Sequence, residues 1–419
     1  MRCNIEASRI AGRVAAPPSK SYTIRALAAA ALAGGKSLIS NPLDSDDTLA
    51  AIEAFRNLGA LIRTEDGSLS INGGRLSPSN KPLDCRDSAA TLRFVTAICA
   101  TIAGNSVLEM GASLEQRPVK PLLEILNKMG AGYTCRDNRI VICGGSLQGG
   151  LYNITGDLSS QFVSALLLIA PLTGEDIAYQ LGTPPRSRPY IEMTIEIMRS
   201  FGVQVNSSPD YTLFKTSPQS YHPASVSIEG DWSSASYLLA AGALAGEVTV
   251  EGLNLLSLQG DKAMISILQK MGVAILPDST SITVRASRIH PITFDMSQCI
   301  DLLPTVAVCL ATADGTSCLT GIARARLKES NRIRAVCEGL NRVGIQTEEQ
   351  QDILTIHGGE PNSAVINSFN DHRIAMAFTV LGLAAGKMTI TGAECISKTF
   401  PAFFNTMKSL GGNIEIEYG

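Results

Sequence analysis

The 419-residue sequence is short of several things. Aromatic residues make up 5% of it, with a single tryptophan, and charged residues 17%, where soluble domains usually carry about a quarter. Only four histidines occur (222, 290, 357 and 372), and no His-Glu-x-x-His or close Cys/His cluster sets metal ligands in register, so no catalytic metal is expected. The ten cysteines (3, 85, 99, 135, 143, 299, 309, 318, 337 and 395) form no Cys-x-x-Cys pair. A chain this long does not need disulfide staples, so buried, reduced thiols and a cytoplasmic location are expected. There is no Walker-type loop and no strand-linked Gly-x-Gly-x-x-Gly, so no nucleotide cofactor is indicated, and no Gly-x-Ser-x-Gly elbow is present. No apolar run reaches the roughly 20 residues of a membrane span; the longest, 162–172 and 302–313, read as buried helices. The first twenty residues hold no apolar stretch of the kind that marks a secretory signal. With 35 basic and 38 acidic residues, neither sign dominates, and a nucleic-acid partner is not expected without a local basic patch. Disorder is excluded as well, because 45% of the chain is hydrophobic.

What is present is a repeat. A small-residue helix ends at a glycine and a strand follows, six times: GGKSLIS, AGNSVLEM, TGEDIAYQL, AGEVTVEGL, DGTSCLTGI and AGKMTITGA. The landmark glycines are Gly35, Gly104, Gly174, Gly246, Gly315 and Gly386, spaced 69, 70, 72, 69 and 71 residues apart. Each is followed by an amphipathic helix that itself ends in glycine, as in AIEAFRNLGA and LLEILNKMGA, where a left-handed C-cap is expected. Alternating strands such as SLSING come next. Six such units, three to a domain, predict an α/β (α+β) protein of two similar domains.

The starts of the buried helices carry the chemistry. They read Ser19, Lys20, Ser21; Asp87, Ser88; Ser159, Ser160, Gln161; Asp231, Trp232, Ser233, Ser234; Asp301; and Asp371, His372, Arg373. Each alone is a good N-cap. In pseudo-symmetric repeats, however, equivalent helix ends aim the same way. Their free N–H groups and partial positive charge then suit a phosphate or carboxylate. Lys20, Arg25, Arg93, Arg117, Arg186, Arg188, Lys328, Arg332, Arg373 and Lys398 lie near these places, several beside proline at element junctions rather than along helix faces. A small polyanionic ligand is the expected partner.

The stretches PPSKSYTIRALAAAALA, LDSDDT, SLEQRPVKPL, DLSSQFVSALLL, PRSRPYIEMT, EGDWSSASYLLAA, IDLLPT, RLKESNRI, NDHRIAMA and SKTFPAFF, in this order, resemble the EPSP synthase family of enolpyruvyl transferases in the shikimate pathway. The resemblance implies two domains of three βαβαββ-type units with a substrate cleft that closes between them, one domain at 18–226 and the other formed by 1–17 with 227–419. It implies transfer of the enolpyruvyl group of phosphoenolpyruvate to the 5-hydroxyl of shikimate 3-phosphate without any cofactor, by a chain acting as a monomer. Residue by residue, Lys20, Ser21 and Arg25 resemble the first substrate motif. Ser159, Ser160 and Gln161 resemble the shikimate 3-phosphate loop, with Gln161 also near phosphoenolpyruvate. Ser187, near Tyr190, resembles a further phosphate contact. Asp301 resembles the base that takes the hydroxyl proton, Lys328 a substrate contact, and Glu329 the proton-transfer residue at the methylene; Lys20 stands with Asp301 and Glu329 among the catalytic residues the resemblance implies. Arg117, Arg332, Arg373 and Lys398 resemble the clamp on phosphoenolpyruvate, to which Lys20 also contributes.

The chain departs from this pattern before its second buried helix. Where the family has Gly-Asn-(Ala/Ser)-Gly-Thr, it reads Arg86, Asp87, Ser88, Ala89 and Ala90. Ala89 places a methyl where glycine lets the backbone approach phosphoenolpyruvate, so tolerance of glyphosate, which takes that position, is expected. Asp87 brings a negative charge that Arg86 or Arg93 is expected to offset. Arg324 and Asn331 replace a usual Asn and Asp. Two other functions fit the sequence less well. The UDP-N-acetylglucosamine enolpyruvyl transferases place a catalytic cysteine in the loop before Arg-Pro-Val, and residues 111–117 contain none. A non-catalytic clamp around DNA needs an inward basic surface that the acidic balance opposes.

Overall fold

The computed structural model describes residues 1–115, 117–154 and 159–418. Gln116, Asp157 and Leu158, which belong to two of the motifs above, lie outside the described residues. The chain divides into two compact units, Pro18–Glu229 and Met1–Pro17 with Gly230–Gly419.

Among the described residues, each unit holds three four-stranded sheets of one pattern. The second repeat shows it whole. Leu83–Asp84 runs into the buried helix Ala89–Ala100, whose crossover returns the chain to the parallel strand Gly104–Glu109. The amphipathic helix Lys120–Lys128 follows, and the hairpin Gly132–Arg136 and Arg139–Gly144 adds two antiparallel strands. This is the predicted βαβαββ order.

The two crossings between units exchange strands. Ile10–Ala15 leads into the helix Lys20–Leu32, yet it pairs in parallel with Gly246–Glu251. Ser225–Ser227 precedes the helix Trp232–Ala245, yet it pairs with Gly35–Ser40. The last sheet borrows as well: Arg2–Glu6 is held between Met388–Thr391 and Asn413–Glu417, antiparallel to both.

Helices of small residues let these layers approach closely. Lys20–Leu32 and Trp232–Ala245 are buried around almost their whole circumference, and the core of each unit is built around three such helices. The landmark glycines serve that packing. At Gly246 a Cβ would stand 1.7 Å from the carbonyl oxygen of Ile10, so only glycine admits the neighbouring strand there. The glycines ending the amphipathic helices (59, 130, 202, 272, 344 and 411) all have positive φ, from 81° to 112°, the left-handed turn expected of them. The cysteines are all free, and seven of the ten are buried. Among the described residues no helix is long and apolar enough to cross a membrane.

Candidate active site

In the Pro18–Glu229 unit, Lys20 opens its helix directly after the cap Ser19, whose hydroxyl accepts from the Tyr22 N–H. The Lys20 ammonium lies 2.8 Å from Asp47 Oδ2, and both side chains are largely buried. Asp47 also receives the Thr91 hydroxyl on its carbonyl at 3.2 Å, which links the first and second buried helices. Asp47 was not among the expected site residues. In LDSDDT it is one of three aspartates near a helix start, and only the fold shows which one meets Lys20.

Arg93 makes the second link. Its guanidinium donates to Gln161 Oε1, to the Ala89 carbonyl (3.2 Å) and to the Pro118 carbonyl (3.1 Å), and lies 5.0 Å from the Phe162 ring centroid. It thus joins the starts of the second and third buried helices to the loop carrying Arg117, which is itself 8% exposed. Ser159 caps the third helix by accepting from the Gln161 N–H, with Ser160 buried beside it. Arg25 is buried between the rings of Phe94 and Tyr190 and donates to Thr194 Oγ1 (2.8 Å), the Ser21 carbonyl (2.9 Å) and the Tyr190 carbonyl (3.0 Å). Burial pulls its guanidinium down to about 10, opposed by Tyr190 and Tyr22, so it stays charged at neutral pH. Ser187 holds a left-handed φ of 56° at the entry to Arg188–Ser200, a conformation uncommon for serine and frequent at functional sites.

Asp87 Oδ1 accepts from the Ser113 N–H (3.1 Å) and hydroxyl (2.7 Å). Arg86, at φ 47°, turns to Glu53 at 3.0 Å and Asp46 at 3.9 Å.

In the other unit the expected residues form one network around Arg332, which is fully buried. Its Nε donates to Asp371 Oδ2 (2.8 Å), Nη1 to Asp301 Oδ1 (2.6 Å) and Nη2 to Glu329. Asp301 also meets Lys328 Nζ at 3.0 Å and Arg373 Nη2 at 3.5 Å. Burial alone would push the Asp301 carboxyl up, but Arg373, Lys328 and Arg332 hold it well below the usual carboxylate range. Asp301 is therefore more than a cap, since the helix Leu303–Leu310 is entered from Leu302. Glu329 is a partner of a buried arginine and no free surface carboxylate. Asn331 replaces the usual aspartate without loss of the cap, accepting from the Arg334 N–H.

Arg373 donates through Nη1 to Ser233 and to the Asp301 carbonyl (3.2 Å). One side chain thereby joins the starts of all three buried helices of this unit. Lys398 Nζ donates to the Asn370 carbonyl at 3.1 Å. Phe369 and Asn370 are both left-handed, at φ 53° and 54°, a tight turn that delivers Asp371 to its cap and Asn370 to Lys398. Gln259, also in this unit, was not expected as a site residue; its side-chain amide oxygen accepts from the Trp232 N–H at 3.0 Å. Ser257 to Asp261 read locally as a polar loop, and nothing in that stretch signals its contact with a distant helix start.

These arrangements concentrate guanidinium, ammonium and helix N-termini with carboxylates that fix them. They are suited to hold multiply charged anions and to move protons. The family model for EPSP synthase (3-phosphoshikimate 1-carboxyvinyltransferase) matches residues 5–407. A 3-phosphoshikimate 1-carboxyvinyltransferase of Dehalococcoides mccartyi is 44% identical over 99% of both chains, and one of Methanosarcina mazei 40% identical over 99% of both. An EPSP synthase structure from Acinetobacter baumannii aligns with a TM-score of 0.83 at 25% identity, covering 100% of each chain. The enolpyruvyl transferase NikO of Streptomyces tendae shares the fold, with a TM-score of 0.82 at 17% identity over 99% of this chain and 98% of that one. The match to curated relatives runs through nearly the whole sequence, and the chain belongs to the EPSP synthase family.

Proposed function

We propose that this chain carries out its family's reaction, moving the enolpyruvyl group of phosphoenolpyruvate to the 5-hydroxyl of shikimate 3-phosphate and releasing phosphate, with the following residues in the following roles. Asp301 takes the proton of the 5-hydroxyl as its oxygen attacks C2 of phosphoenolpyruvate. Glu329 gives a proton to C3 and removes one when the tetrahedral adduct loses phosphate. Arg117, Arg332, Arg373 and Lys398, with Lys20, Ala89 and Gln161, bind phosphoenolpyruvate. Lys20, Ser21, Arg25, Ser159, Ser160, Gln161, Ser187 and Lys328 bind shikimate 3-phosphate.

The observation that carries this reading is the seat of Asp301 among Lys328, Arg332 and Arg373. A carboxylate held so low is a weak base. The anionic groups of the substrates compete with it for the same cations, and as they draw Arg373 and Lys328 away the hold on Asp301 loosens. It then becomes a stronger base when the hydroxyl is in place. Holding two repelling anions in line lowers the barrier by several kcal/mol, up to about 7–11 in favourable cases. That demand supports the large number of cations. The reaction fits a cytoplasmic enzyme.

The deciding measurement is phosphate release from phosphoenolpyruvate with and without shikimate 3-phosphate, in the presence of EDTA. Release that requires shikimate 3-phosphate and survives chelation is expected. Release that instead requires UDP-N-acetylglucosamine would overturn the assignment of the acceptor.

A further inference from the structure

The loop that carries Arg117 is fastened at both ends to the entry of one buried helix, Ala89–Ala100. At the front, Asp84 Oδ1 accepts from the Arg86 N–H at 2.8 Å, and Arg86 takes its left-handed φ of 47°. This turn brings the Arg86 carbonyl to the Gly111 N–H at 2.6 Å and sets Asp87 beside Ser113. One carboxylate oxygen of Asp87 receives both the N–H and the hydroxyl of that serine, hydrogen bonds strengthened by the acceptor's charge. The two segments lie so close that a Cβ on Gly111 would stand 2.4 Å from Asp87 Oδ1 and 2.7 Å from the Arg86 carbonyl oxygen. Beyond Ser113 the backbone is wound tightly. The Leu114 N–H donates to the Gly111 carbonyl and the Arg117 N–H to the Leu114 carbonyl, both at 2.9 Å, and the Leu114 side chain is buried. At the back, Arg93 holds the Pro118 carbonyl at 3.1 Å. Arg117 therefore sits between two ties made by one stretch of chain, Asp87 just ahead of the cap Ser88 and Arg93 in the helix's second turn.

We propose that Asp87 is a positioning residue for phosphoenolpyruvate: through Ser113 it fixes the loop 111–117, so that Arg117 is in place before the substrate arrives. This rests on the role given to Arg117 in the reaction proposed above. Ordering an arginine removes much side-chain freedom, and ordering its loop removes backbone freedom besides. A site that has lost both in advance does not lose them on binding, and its affinity is higher by that amount. Arg93 does not supply this alone, because it holds the residue after Arg117 and also serves Gln161 and the Ala89 carbonyl. Asp87 and Arg86 stand where the family pattern has asparagine and glycine, so in this chain the front tie is made by a carboxylate.

The test is initial-rate kinetics and amide hydrogen exchange on the wild type, Asp87→Ala, Asp87→Asn, Ser113→Ala and the double variant of the two alanine changes. In Asp87→Ala the KM for phosphoenolpyruvate is expected to rise about 10–100-fold, the scale of a binding group out of place. An arginine that holds the substrate alike before and during reaction shows in KM, so kcat and the KM for shikimate 3-phosphate should move far less. Asp87→Asn, whose amide oxygen can accept the same two hydrogen bonds without the charge, should recover most of the loss. Ser113→Ala keeps its N–H and should raise the KM for phosphoenolpyruvate less than Asp87→Ala does; added to Asp87→Ala it should cost nothing more. A wild-type KM for phosphoenolpyruvate in Asp87→Ala overturns the proposal, as does a loss shared equally by kcat and both substrates, or full additivity of the two alanine changes. Should Asp87→Ala fail to fold, an unchanged KM for phosphoenolpyruvate in Ser113→Ala overturns it. Exchange over residues 111–115 reads the tie without catalysis: protection should fall in Asp87→Ala and persist in Asp87→Asn, and equal protection in wild type and Asp87→Ala refutes the tie. A wild type that releases no phosphate in response to shikimate 3-phosphate refutes the reaction and the substrate role with it, a failure told apart from that of the tie by the exchange result.

Discussion

Arg332 sits among three carboxylates with its guanidinium fully buried. Taking such charges out of water costs several kcal/mol per ion, and apolar side chains of similar size often pack as stably. A cluster of this kind is retained for what it does, which is to fix Asp301 and Glu329 in known directions. Asp301→Asn keeps the shape and removes the base. Its kcat is expected to fall about 10²–10⁴-fold, the range for general acid–base groups, with a much smaller change in the KM for phosphoenolpyruvate. The same substitution tests the electrostatics. The folded carboxyl is depressed, so its contribution to stability is present above the unfolded value of about 4 and is lost as pH falls through the folded value. Denaturant midpoints across that acid range should drop more steeply in the wild type than in Asp301→Asn. Ala89 is a second residue with a measurable consequence. It is buried at the first turn of its helix, with its carbonyl held by Arg93. Glyphosate is expected to inhibit with a constant above the KM for phosphoenolpyruvate. Ala89→Gly should lower that constant roughly tenfold, the scale of one methyl in a tight pocket.

At the level of elements, the glycine landmarks carry the packing that the repeat spacing implies. Gly246→Ala drives a methyl into the Ile10 carbonyl and parts Ile10–Ala15 from Gly246–Glu251. A loss of roughly 3 kcal/mol or more is expected by chemical denaturation, while Gly386→Ala, with no atom within 4 Å of its added carbon, strains only a φ of 138° and should cost less. These positions were legible because a glycine before a strand and a glycine after an amphipathic helix are local signals, repeated often enough to reinforce one another. Lys20, Gln161 and Arg373 were legible for the same reason, each standing at the start of a recurrent helix. Asp47 was not, because its role depends on a partner 27 residues away along the chain, Lys20, and its own neighbours read as an ordinary helix start. Nor does anything in the five residues of Arg2–Glu6 reveal that the strand lies between two others from the far end of the sequence.

For the whole molecule, the exchange of strands makes the two units unequal. Pro18–Glu229 is one continuous stretch with its own core. Expressed alone, it is expected to fold and to unfold cooperatively in urea. The stretch 230–419 alone lacks the middle strand of one sheet and the parallel edge of another. It should remain aggregated or loosely folded by circular dichroism, and joining residues 1–17 to its end through a flexible linker should restore it. The same arrangement sets a schedule on the ribosome. Arg2–Glu6 emerges nearly four hundred residues before its partners Met388–Thr391 and Asn413–Glu417. At about 5–20 residues per second, the opening strand waits roughly 20–80 seconds with its edges unpaired. For the later part of that interval, once residue 229 has emerged, the continuous unit can already be folded, and the nascent chain carries a hydrogen-bonding edge open to any neighbour. Protection of that edge by a chaperone, or by low expression, should govern how much of the chain reaches its finished form.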